Sequence, residues 1–124
     1  MIDHNYIFKY LEENLYYPEN TESEAISFKY FGRSYFIKYR EGFLGISTLL
    51  PIPMHMTDCE LLEMSNAIME RNLVIKVLID NTPFPDPTIG LEIEQFIADQ
   101  NYFEPLFERF IQTIDYSARL VEKF

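Results

Sequence analysis

The chain has no tryptophan, one cysteine, two histidines and four glycines among its 124 residues. A lone Cys59 excludes an internal disulfide and fits a reducing compartment. Four glycines, none in a Gly-rich loop, leave almost no room for a backbone-cradled phosphate site. His4, His55 and Cys59 fall short of the four ligands of a closed zinc site. No stretch approaches the ~18 apolar residues of a membrane span. Met1-Ile2-Asp3-His4 lacks a basic region followed by an apolar run, so no signal peptide is expected. Cations are scarce as well: ten Lys and Arg stand against twenty Asp and Glu, a net charge of -10. That balance repels phosphate backbones and argues against nucleic acid as a partner. A cytoplasmic protein with neither membrane nor nucleic acid as partner is the expectation.

What the chain does have is core-forming material. Nearly half of it is hydrophobic, with eleven Phe and nine Tyr, which is a globular composition. Its length is that of one domain, expected to span 1–124.

From Ala25 to Leu50 the sequence reads as an aromatic three-strand meander with two-residue turns at Gly32-Arg33 and Glu41-Gly42. Pairing across those turns sets Ile26, Phe28 and Tyr30 beside Tyr39, Ile37 and Tyr35, with Leu44, Ile46 and Thr48 continuing one apolar face. The opposite face carries Ser27, Lys29, Phe31, Ser34, Phe36, Lys38, Arg40, Phe43, Gly45 and Ser47. Between Ala25 and Arg40 there are four cations and no acid.

Flanking segments complete the pattern. Asp3 caps a helix over about 4 to 15, with Tyr6, Ile7, Tyr10, Leu11 and Leu15 at helical spacing. Tyr17-Pro18-Glu19-Asn20 stops it. Pro51-Ile52-Pro53 ends the meander. Thr57 and Glu60 have capping-box spacing and open a second helix to about Asn72, with Leu61, Met64 and Ile68 on one stripe. Leu73 to Ile79 is a continuous apolar run read as a central strand. Past a proline-rich connector, Thr88 to Glu94 alternates, with Ile89, Leu91 and Ile93 inward and Glu92 and Glu94 outward. A last helix begins between Asn101 and Pro105, with a wide stripe of Phe103, Leu106, Phe107, Phe110, Ile111, Ile114, Ala118 and Val121. The expected fold is therefore α+β, a two-layer sandwich in the order α-β-β-β-α-β-β-α, its antiparallel meander sheet packed by helices.

This order resembles the type III secretion chaperone-like fold, and within it the YbjN-type family of proposed bacterial sensory-transduction regulators. The local likeness lies in Ser65-Asn66-Ala67 through Asn72 into Leu73-Val74-Ile75-Lys76-Val77, similar to that family's Asn-containing helix leading into a hydrophobic strand. The resemblance implies an interaction domain without an active site, often dimeric. In secretion chaperones of this fold, apolar grooves of a dimer hold a partner's extended segment. No catalytic residue carries over.

Three clusters bear on chemistry. Pro53-Met54-His55-Met56-Thr57-Asp58-Cys59 offers soft-metal ligands or a Cys–His pair. Asp58 and Glu60 flank the thiol, however, and would disfavour its thiolate. Glu92 and Glu94 share a strand face, which reads as a solvated edge of an amphipathic strand. Lys29, Phe31, Phe36, Lys38, Arg40 and Phe43 interleave cations and aromatics as single-strand RNA binders do, but without an RNP motif and against the global charge. These six form the candidate partner-binding surface, and the tyrosines of the first helix (Tyr6, Tyr10, Tyr16, Tyr17) are a weaker interface candidate. The expectation is a non-enzymatic, chaperone- or regulator-like domain, homodimeric, binding a protein partner or itself, with no cofactor, no metal and no catalytic residue. The alternative is a small-ligand or metal-binding domain centred on His55 and Cys59.

Overall fold

The structure is a computed structural model that describes residues 2–52, 56–71, 75–80 and 88–123. Helix α1 (His4–Glu13) starts where the Asp3 carboxylate accepts the Tyr6 N–H at 2.8 Å. It stops two residues earlier than its apolar spacing suggests. Leu15 turns left-handed at φ 63°, and the Tyr16 N–H closes back on the Leu11 carbonyl at 2.9 Å. Leu15 is thus exposed outside the helix and does not extend its buried stripe.

Six strands form one antiparallel sheet: β1 (Glu19–Asn20), β2 (Ile26–Tyr30), β3 (Arg33–Arg40), β4 (Phe43–Pro51), β5 (Lys76–Asp80) and β6 (Thr88–Phe96). Their spatial order is β1-β2-β3-β4-β6-β5. The short β1, which pairs with β2, adds one strand to the expected order.

Both meander turns have two central residues with positive φ: Phe31 at 49° with Gly32 at 79°, and Glu41 at 52° with Gly42 at 89°. That is the turn geometry whose twist matches a right-handed hairpin. Arg40 pairs with Phe43 as expected, but the first turn is Phe31-Gly32 rather than Gly32-Arg33. Ile26 and Phe28 consequently face Ile37 and Tyr35, a two-residue slip from the expected register. A slip of two keeps the strand side chains on their predicted faces, and only Phe31, taken up by the turn, leaves its face.

A second correction concerns β5. The apolar run was expected to be central, yet β6 inserts between it and β4, and β5 is an edge strand. Its Leu78 and Ile79 are substantially exposed. Leu73 and Val74, the start of that run, lie outside the described residues.

Helices α2 (Asp58–Arg71) and α3 (Phe103–Glu122) join α1 on one face of the sheet. The capping box at α2 is formed: the Glu60 N–H reaches Thr57 Oγ1 and the Thr57 N–H reaches Glu60 Oε1, both at 3.2 Å. The core gathers Ile26, Phe28, Tyr35, Ile37, Leu44 and Ile46 from the meander with Ile89, Leu91 and Ile93 of β6. Over them lie Leu61, Met64 and Ile68 of α2 and the Phe103, Phe107 and Phe110 ridge of α3. This is a helix layer on a sheet, buried on one side only.

Candidate functional site

The sheet face away from the helices is open, and strand alternation decides what stands on it. Register places residues in rows across the strands. At one end Arg40, Phe43 and Phe96 stand abreast on β3, β4 and β6. Next come Lys38, Gly45 and Glu94, then Phe36, Ser47, Glu92 and Lys76. Leu49, Gly90 and Leu78 follow at the far end.

Two properties emerge from these rows. Apolar side chains mark both ends and are strongly exposed: Phe43 at 47%, Phe96 at 54%, Leu49 at 62% and Leu78 at 50%. Phe43 and Phe96 meet edge-on with centroids 5.5 Å apart. Between the ends runs a furrow with Gly45 and Ser47 as its floor, Lys38 and Arg40 on one bank and Glu92 and Glu94 on the other. Its larger hollow, about 330 Å³, is lined by Lys38, Arg40, Glu41, Phe43, Gly45 and Glu94.

The banks do not neutralise each other. Lys38 and Glu94 stand on either side of Gly45, and among the described residues no ion pair joins the two banks. Among the described residues the ion pairs lie elsewhere: Lys9 with Glu13, and Arg33 and Arg119 with Asp115 and Glu122. The open face therefore presents separated charges of both signs to solvent.

Five of the six predicted partner-binding residues stand on this face: Lys29, Phe36, Lys38, Arg40 and Phe43. Phe31 does not share it. Because Phe31 occupies the turn, its ring packs edge-on against Tyr30 and lies under the Arg119 guanidinium of α3, 5.6 Å from the ring centroid. Sequence reasoning also passed over Phe96, Leu49 and Leu78 as surface candidates. Glu92 and Glu94 do face outward as expected and form the acidic bank.

The remaining polar clusters are internal fasteners. Tyr10 and Tyr16 both donate to the Glu108 carboxylate, at 2.7 and 3.0 Å, and tie α1 and its exit to α3. The tyrosines of the first helix thus turn inward, with Tyr6 edge-on to Phe103 and only Tyr17 largely exposed. Tyr35 donates to Asp115, which also binds Arg119 at 2.9 Å. Burial first, and then the hydrogen bond to a carboxylate, push the Tyr10, Tyr16 and Tyr35 hydroxyls far above the ordinary phenol range. Such groups stay protonated as donors and do not serve as acids or bases near neutrality.

Cys59 is exposed on α2, while His55 lies outside the described residues. Among the described residues no three His, Cys, Asp or Glu side chains converge to hold a metal ion. Among them, too, no helix is long and apolar enough to cross a membrane.

No family model matches the sequence, and no curated protein matches it. Its fold, however, is similar to the crystal structure of YbjN, a proposed transcription regulator from E. coli. The two superpose with a TM-score of 0.76 over 98% of this chain and 90% of the other, at 13% identity. The chain thus has a YbjN-type α+β fold.

Proposed function

We propose that this chain is a cytoplasmic, regulator-like protein-interaction domain that performs no chemistry and binds protein through the open face of its sheet. The observation that carries this reading is the placement of Phe43, Leu49, Leu78 and Phe96, four large exposed apolar side chains, on one face with unpaired charges between them. Large exposed apolar side chains gathered on one sheet face, with charged groups beside them, are the composition of protein-binding sites. The similar structure is that of a proposed regulator rather than of an enzyme, which supports the same reading.

A photo-reactive amino acid placed at Phe43 or Leu78, with Leu15 and Leu62 as exposed controls elsewhere, tests it in living cells. Discrete protein adducts from the open face and none from the controls are expected. Absence of adducts from the open face overturns the reading.

A further inference from the structure

The open face is close to neutral on a strongly acidic chain. Register places Lys29, Lys38, Arg40 and Lys76 on it against Glu19, Asp80, Glu92 and Glu94, while the whole chain carries -10. Two copies of such a chain repel over most of their surface, and the face relieved of that repulsion is this one. Its charges are also arranged in a way that suits one particular partner.

We infer that the open face pairs with the same face of a second copy of this chain, about a two-fold axis running along β4. This rests on the interaction reading above and names its partner. A rotation about that axis keeps height along the strands and exchanges left for right. It lays β3 over the partner's β6. Lys38 then meets the partner's Glu94, and Arg40 meets the partner's Phe96. Each contact occurs twice, as in any isologous interface. On the axis itself Phe43 and Leu49 meet their own copies, so the apolar ends coincide. An axis across the strands would instead lay β3 on β3 and β6 on β6, so that each charged bank lies over its own copy and not over the opposite one.

The size fits as well. Five strands of five to nine residues at ~4.8 Å spacing give roughly 550–600 Å² of flat face before side-chain relief is counted. A stable interface uses about 800 Å² per partner. Two twisted sheets stack face to face at about 10 Å, a gap that side chains such as these fill.

Sedimentation velocity of the purified chain and of two charge reversals tests the pairing. The wild type is expected to sediment at twice the 14.8 kDa of one chain. Lys38→Glu and Glu94→Lys, both at exposed positions, should keep the fold by circular dichroism, yet each should weaken self-association by roughly tenfold or more. Mixing the two single variants restores the dimer, because each glutamate at 38 then meets a lysine at 94. The double reversal restores it within one sequence. A wild type that stays monomeric at every concentration, or single variants that remain dimeric alone, overturns the inference. So does failure of the mixture to associate. A monomeric wild type whose open face still crosslinks to another protein overturns self-pairing and leaves the interaction reading standing. Absence of open-face adducts removes that reading separately.

Discussion

The Tyr35 hydroxyl donates to the Asp115 carboxylate at 2.8 Å, joining β3 to the fourth turn of α3 across eighty positions of sequence. Both residues are buried, and Asp115 is held in turn by Arg119, which caps Phe31 from above. This link fastens the meander to α3 on the covered side and so sets the frame on which the open face is displayed. Tyr35→Phe removes the donor and leaves a buried carboxylate oxygen short of a partner, at a cost of about 1–3 kcal/mol. A matching fall in the urea midpoint with an unchanged slope checks this.

Alkaline stability follows from the same hydroxyls. In the unfolded chain Tyr10, Tyr16 and Tyr35 lose their protons near pH 10.0, while burial and the carboxylate partners hold them protonated in the fold. Above pH 10 the folded state therefore binds more protons than the unfolded one, and stability falls as pH rises; below it their contribution is fully present. Urea titrations between pH 8 and 11 should show a declining midpoint only at the upper end. Phenolate absorbance of the folded protein should lag that of the unfolded chain.

Leu15 is strained without compensation, since its φ is 63° and its side chain is mostly in water. A left-handed conformation costs an L-residue about 1–2 kcal/mol, part of which glycine gives back through unfolded-state entropy. Leu15→Gly should raise stability by about 0.5–1 kcal/mol, read by thermal or urea unfolding.

Gly42 shows how a turn supports the surface. Its φ is 89°, and a Cβ there would come within 2.5 Å of the Phe96 ring. Gly42→Ala should cost about 1–2 kcal/mol in backbone strain and push Phe96 off its place beside Phe43. A lower unfolding midpoint together with weakened self-association is the expected pair of results.

Much of this was legible in the alternation of the meander and of β6, because period-2 patterning survives even a register error. The position of the first turn is hidden in the sequence because Phe31 is a poor residue for positive φ on propensity alone. Yet Phe31-Gly32 and Glu41-Gly42 share the same pattern of a residue followed by Gly, and the Arg119 contact helps hold the aromatic ring there. β5 looked central because an apolar run resembles a buried strand. Which neighbour it takes is decided by β6 docking on β4, and no local pattern encodes that. The open face was visible from its basic half alone. Its acidic bank and its Phe96, Leu49 and Leu78 ends appear only when strands distant in sequence come into register.

The most direct measurement is a dilution series of amide NMR spectra of the pure wild-type chain. Pairing through the open face predicts concentration-dependent shifts at Lys38, Gly45, Ser47 and Glu94, with the amides of α1 unmoved. Spectra that do not change on dilution while the chain sediments as a monomer, or shifts confined to α1, α2 or the β1 edge, would contradict it.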